Sequence, residues 1–219
     1  MVRILFQDKD IVICEKQPGM ISQESEDKNS LPRLLRELTN SDIFVLHRLD
    51  TPTGGAIMYA KNKKAAAAFS QMTAENKIIK EYLTVLDGCP KDNNGELRDL
   101  LFRDKSRNKS YVVKRMRKGV KEARLLYDVT DKSESNSLVK IRLITGRTHQ
   151  IRVQFSSRGT PVTGDGKYGS RNNKCETALW CALLEFTHPI TGEKIRVHSM
   201  PDCKEYPWSL FNSDYFLKT

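Results

Sequence analysis

"ELRDLLFRDKSRNKSYVVKRMRKGVKEARLLYDVTDKSESNSLVKIRLIT", residues 96–145, carries four apolar runs in succession with no helical stretch between them. Strands are predicted at "ELRDLLF", "KSYVVKRM", "EARLLYDVT" and "LVKIRLIT", with turn chemistry between them that includes Lys118-Gly119 and Ser135-Asn136. A doubly wound fold alternates strand and helix, so consecutive strands exclude it. The expected class is α+β: one domain over residues 1–219, with a large mixed, mainly antiparallel sheet flanked by a few helices and loops.

The flanking sequence fits that class. "RILFQDKDIVICEK" reads as two short strands around a polar turn, followed by the turn "QPGM". Ser30 is expected to cap a helix through about Leu38, with Pro32 in its first turn and Leu31, Leu34, Leu35 and Leu38 on one stripe. "GAIMYAK" is a strand, "NKKAAAAFSQMTAE" a helix capped by Asn62, and "KIIKEYLTVLDG" a longer strand. "GRTHQIRVQFSSRG" has an ambiguous period; a helix is favoured, begun by Gly146 and Thr148 and ended by Gly159. "TALWCALLEF" and "KIRVHS" form a hairpin, and a short amphipathic helix is expected around 204–212.

A hydrophobic fraction of 38% with 29% charged residues describes a soluble globular chain with a sizeable core. No apolar run reaches the roughly 18 residues a membrane span needs. The N-terminus has acids within its first ten residues and no apolar h-region, so a cytoplasmic location is expected. The five cysteines show no C-x-x-C spacing, and the four histidines show no H-x-x-x-H or H-E-x-x-H spacing. They are read as reduced thiols, mostly in the core, with no structural metal. The net charge of +10 is concentrated: Lys105–Arg124 holds nine lysines or arginines against one acid, Glu122, a local +8. An evenly spread charge would suit solvated strand edges; this concentration suits a polyanion. The stretch lacks the sustained apolar face of a membrane-surface helix, so nucleic acid is the expected partner.

"FVLHRLDTPTGG", residues 44–55, sets Asp50 beside Arg48 at the end of an apolar run and before a turn. The pair reads either as a capping carboxylate with its cation or as a carboxylate positioned for chemistry. "GDGKYG", residues 164–169, matches G-x-G-x-x-G, but neither a strand before it nor a helix within it is predicted, so a dinucleotide loop is set aside for a turn-rich rim. There is no Walker loop and no G-x-S-x-G elbow.

"HRLDTPTGG", "KEYLTVLDG", "KGVKEARLLYDV", "ITGRTHQIRVQFSSRGTPVTGDGKYG" and "LEFTHPITGEKIRVHSMPD" follow one another in an order that resembles the RluA-type family of RNA pseudouridine synthases. The opening "ILFQDKDIVICEKQPGMIS" is similar to that family's first hairpin. The resemblance covers nearly the whole chain and implies the catalytic domain alone, without the N-terminal S4-type module that many members carry. It implies that a uridine is detached at its N-glycosidic bond, turned and rejoined through carbon, with no redox cofactor, nucleotide cofactor or metal required. Asp50 then matches the catalytic aspartate, Arg152 the arginine that pairs with it, and Tyr82 the tyrosine that lies against the uracil. Ile151 is expected to line the pocket and Arg48 to enter the RNA where the uridine has left. Arg147, His149 and Gln150 are expected at phosphate or sugar groups.

The sequence departs from the family pattern at Gly54, where Ser is frequent, at Gln17, where a second proline is frequent, and at Gln154, where His is frequent. Trp180, Cys181 and Phe186 are assigned to the core. The expected partner is structured RNA, ribosomal or transfer, bound by a monomer away from any membrane. A catalytically silent RNA-binding or chaperone protein on the same fold is the alternative, and the joint presence of Asp50, Tyr82 and Arg152 argues against it.

Overall fold

The computed structural model describes residues 2–217. In chain order these form β1 (Arg3–Gln7), β2 (Ile11–Lys16), α1 (Leu31–Thr39), β3 (Phe44–Val45), β4 (Gly54–Ala60), α2 (Lys63–Ala74), β5 (Ile79–Asp87) and β6 (Asn94–Asp104). There follow β7 (Lys109–Val113), β8 (Val120–Lys132), β9 (Asn136–Leu143), α3 (Gln150–Ser156), β10 (Leu179–Thr187), β11 (Lys194–His198) and α4 (Asp214–Leu217). Short 3-10 turns stand at Gly166–Tyr168 and Trp208–Leu210. The class is α+β, with strand pairing that is mixed and mainly antiparallel. Two compact units are distinguished: one runs up to Lys80 and includes Trp180–Pro201, and the other is Glu81–Leu179 with the segment from Asp202.

In the first unit β2 is antiparallel to both β1 and β4, and all six of its residues are buried, which is why "IVIC" is continuous rather than alternating. The far edge of β4 is shared. β10 pairs in parallel with Gly54 and Gly55, and β3 pairs antiparallel with Tyr59 and Ala60. α2 starts as expected: the Asn62 side chain accepts from the Ala65 N–H at 2.9 Å, and Ala65, Phe69 and Met72 face inward. α1 begins at the expected place, but the Ser30 hydroxyl donates to the Gln23 carbonyl at 3.3 Å instead of capping the helix. Of the leucine stripe, Leu31 and Leu35 are buried while Leu38 is 54% exposed.

In the second unit the strand order is β5-β9-β8-β6-β7, antiparallel throughout. The 146–159 stretch does form a helix, α3. It starts at Gln150, later than Gly146 and Thr148 suggest, because His149 takes a left-handed conformation (φ 55°) just before it. Gln150–Phe155 are all buried, and Val153 packs with Leu101, Ala123 and Tyr168. β7 stops at Val113 rather than running on to Met116. Both β7 and β8 pair with β6, so the chain has to leave the sheet at 114–119 to cross from one flank of β6 to the other. The expected helix at 204–212 is only a 3-10 turn, and the last helical turn comes later, in α4. Trp180, Cys181 and Phe186 are buried as expected. All five thiols are free, but only Cys14 and Cys181 are buried, so the assignment of most cysteines to the core is corrected: Cys89 is exposed and Cys175 and Cys203 are half-exposed.

Two glycines fix the closest approach of β4 to β10. A Cβ on Gly54 would lie 2.2 Å from carbons of the Trp180 ring, so the serine frequent in the family would displace that ring here. Gly55 has φ +109°, and a Cβ there would lie 2.4 Å from the backbone N and O of Cys181. Gly55→Ala is therefore expected to cost at least about 2 kcal/mol, from overlap with backbone together with a left-handed φ. In a chain of this size that lowers Tm by roughly 5 °C or more, read by thermal denaturation. A variant that melts with the parent would show that the two strands can part at that point.

Candidate active site

Asp50 and Arg48 belong to the first unit, on the connection from β3 to β4. Its backbone is tied down residue by residue. The Met58 N–H donates to His47 Nε2 at 3.2 Å, extending the β3–β4 pairing through a side chain. Burial, and then the charge of Lys80, push the His47 pKa well below its usual value, so the ring is neutral and free to accept. The Ser22 hydroxyl donates to the Leu49 carbonyl at 2.7 Å, and Ser22's own carbonyl receives the Tyr59 hydroxyl at 2.9 Å. The Asp50 carbonyl accepts from the Thr53 N–H at 2.9 Å, closing the turn. Arg48 is exposed, with its guanidinium donating to Gln23 Oε1 at 2.8 Å.

The strongest tie comes from Lys16, the last residue of β2, which has no exposed surface. Its ammonium donates to the carbonyls of Thr53 (2.7 Å), Thr51 (2.8 Å) and Gln17 (3.2 Å), one oxygen for each of its three hydrogens. These acceptors are neutral dipoles, so the hydrogen bonds of the ammonium all go to backbone. Burial lowers the Lys16 pKa from 10.5 to about 8, and the negative charge of Asp50 pulls it part of the way back. Lys16 was not singled out in the sequence. The signal was present in "IVICEK", where a cation ends a fully buried strand just ahead of the "QPG" turn.

In the second unit, Tyr82 lies on β5 opposite Ile141 of β9 and is buried. Arg152, on α3, is buried and forms a bidentate ion pair with Asp165: Nε to Oδ2 at 2.6 Å and Nη2 to Oδ1 at 2.8 Å. The Tyr168 ring stacks under the guanidinium, 5.1 Å from its centroid to Cζ. The Tyr168 hydroxyl accepts from the Ser110 N–H and shares a hydrogen bond with His149 Nδ1, each at 2.8 Å. Asp165 and Tyr168 both come from "GDGKYG". That loop is a 3-10 turn with Gly164 pressed against the carbonyls of Cys175 and Glu176, which gives the rejection of a dinucleotide loop its structural reason. Sequence reading noticed the loop but not the carboxylate inside it.

Gln150 is buried, and its amide closes the preceding turn: Oε1 accepts from Thr145 Oγ1 and the Arg147 N–H, and Nε2 donates to the Arg124 carbonyl. Arg147 is half-exposed, with Nε donating to the Glu122 carbonyl at 2.8 Å; Ile151 is buried. Gln154, where the family often has His, donates to Asp99 Oδ2 at 2.7 Å and to the Leu97 carbonyl at 3.3 Å, tying α3 to β6. Gln17, the other departure, donates to Glu15 at 3.1 Å.

Among the described residues, Asp8, Asp10 and His188 bring potential metal-ligand atoms within 4.8 Å of one another. The histidine does not suit a metal. Its Nδ1 accepts from the N–H groups of Ile190 and Thr191 at 3.2 Å, so Nε2 carries the proton and has no lone pair to give. Nε2 stands 3.3 Å from Asp8 Oδ2, on the β1–β2 turn.

A family model described as RNA pseudouridylate synthase matches residues 10–157. The chain belongs to that family. It is 29% identical over 189 residues to an uncharacterized RNA pseudouridine synthase of Haemophilus influenzae, covering 85% of this chain and 83% of that one. It is 31% identical over 221 residues to the tRNA pseudouridine synthase C of Haemophilus ducreyi, covering 91% and 90%. Several longer relatives are matched over only 66% to 67% of their length. The structure of the human RNA pseudouridylate synthase domain containing 1 shares the fold, with a TM-score of 0.78 at 24% identity, over 95% of this chain and 86% of that one.

Two measurements check this geometry. Between about pH 8 and 10.5 the unfolded chain holds a proton at Lys16 that the folded chain has released, so stability rises with pH across that window. The parent should therefore gain roughly 1 to 3 kcal/mol over Lys16→Met between pH 7.5 and 10 in denaturant titrations. Parallel pH curves would remove the buried charge from the account. Asp165→Asn leaves the buried Arg152 guanidinium short of a full negative charge and should cost roughly 3 kcal/mol at pH 7. Equal unfolding midpoints for parent and variant would show that the ion pair holds nothing in place.

Proposed function

We propose that the chain converts uridine to pseudouridine in structured RNA, with Asp50 as the nucleophile on a flipped-out uridine. The observation that carries this reading is the anchoring of the Asp50 turn. Hydrogen bonds from Lys16, Ser22 and Thr53 fix the backbone of the turn that carries the Asp50 carboxylate. A nucleophile on a fixed backbone meets its target at little entropic cost. An ionised carboxylate is a sufficient nucleophile for this chemistry.

Tyr82, with its ring proposed to lie against the base, and Arg152 are the other proposed catalytic residues, a reading supported by the family-like sequence blocks that carry them. Arg48 and Arg147, exposed and half-exposed, are proposed at the RNA backbone or in the gap that the uridine leaves. His149 and Ile151 are proposed to shape the pocket. For Gln150, whose amide is taken up inside the protein, the proposed contribution comes through the turn it closes. The names of the relatives include a tRNA synthase and a ribosomal large-subunit synthase, and structured RNA of either kind is the proposed substrate. Residues 1–219 are proposed to work as one catalytic domain, as a monomer, in the cytoplasm. No helix among the described residues is long and apolar enough to cross a membrane.

The test is tritium release from RNA labelled at uridine C5. Asp50→Asn should bind RNA with the parent's affinity and release less than about a thousandth as much tritium, because an amide is a poor nucleophile. Substantial turnover by the variant takes the nucleophile's role away from Asp50. Absence of turnover in the parent, on RNA it binds, would favour a silent RNA-binding protein.

A further inference from the structure

The +8 segment has a shape that its charge alone does not give. β7 leaves β6 at the Val113–Leu100 pair, and β8 joins it on the other flank at the Val120–Phe102 pair. Residues 114–119 therefore arch over β6. Leu101 turns to α3, with Val153 and Tyr168, so by alternation Phe102 and the arch lie on the opposite face. The arch is seated rather than loose. Arg117 stacks on the Phe102 ring at 5.0 Å, the Val120 N–H donates to the Arg117 carbonyl at 3.0 Å, and Gly119 turns the chain with φ +84°. Lys114, Arg115 and Lys118 are exposed, and their side chains have no hydrogen bond or ion pair among the described residues. Between them, at the crest, Met116 is 61% exposed, the highest value among the large apolar residues described.

A solvated lysine-rich turn has no use for an apolar crest, and a purely electrostatic phosphate contact has none either. A thioether held between cations has the make-up of a wedge: the cations meet phosphates on either side while the apolar side chain enters an opened base step. We infer that the 114–119 arch docks on RNA with Met116 inserted between bases, and that it favours a helix interrupted by a bulge over a continuous one. A-form RNA offers side chains a base step only where stacking is already broken. The inference rests on RNA being the substrate. It concerns binding alone, so it stands or fails independently of Asp50.

The probes are two synthetic RNA hairpins of equal length, one with a single-nucleotide bulge and one fully paired, titrated at several salt concentrations. Neutralising Lys114, Arg115 and Lys118 together to Gln should weaken both hairpins and flatten the slope of log affinity against log salt by about 2. Met116→Ala should leave that slope unchanged, weaken the bulged hairpin by about fivefold to tenfold and leave the paired one nearly unaffected. Met116→Leu, which keeps an apolar wedge, should retain most of the parent's preference. A Met116→Ala variant that binds both hairpins like the parent overturns the wedge. An unchanged salt slope in the triple variant overturns the arch as a docking element, whatever Met116 does.

Discussion

A lysine ammonium with no exposed surface has to find oxygens, and where it finds them decides what the surrounding chain can do. Lys16 finds three carbonyls, two of which belong to the turn that carries Asp50. Deprotonating the amine or pulling the turn away both leave buried dipoles unmatched, so the turn and the end of β2 hold each other in place. The same charge has no carboxylate among its hydrogen-bond partners, which is why its pKa falls even with Asp50 nearby. The first unit thus holds the Asp50 carboxylate on a turn whose backbone is tied to a buried cation.

The second unit handles a buried cation differently. Arg152 is given a full negative charge in bidentate geometry and an aromatic face, and the loop that supplies both is itself closed by glycine against backbone carbonyls. A guanidinium cannot shed its proton, so burial without a carboxylate would be prohibitive, whereas a lysine can give way by a few pKa units. The difference between amine and guanidinium accounts for the different solutions at Lys16 and Arg152. The compact, three-donor group is met by carbonyls, and the planar fork is met by a carboxylate.

The departures from the family pattern also acquire a local meaning. Gly54 makes room for the Trp180 ring, and Gln154 carries one of the ties from α3 to β6. Both concern packing inside a unit. Neither position is among the residues assigned to chemistry, which fits a change in neighbouring contacts rather than in the reaction.

By itself the sequence determined the class and the order of most elements, though not the place of the last helical turn. Four consecutive strand patterns in 96–145 set the class, Asn62 marked the start of α2, and short blocks such as "HRLD" and "GRTHQIR" pointed to the family. Period, turn chemistry and motif order are local, and a local signal survives without coordinates. What only the tertiary structure decided were relations between residues distant in the chain. Lys16 reaches Thr51 and Thr53, Arg152 meets Asp165 across a loop, and β7 has to end at Val113 because β8 belongs on the other side of β6. His149 turns left-handed before α3, and Ser30 leaves its helix uncapped for the Gln23 carbonyl. In each case the partner is chosen by what a buried polar group can reach once the strands are paired, and neither period nor spacing along the chain encodes that distance.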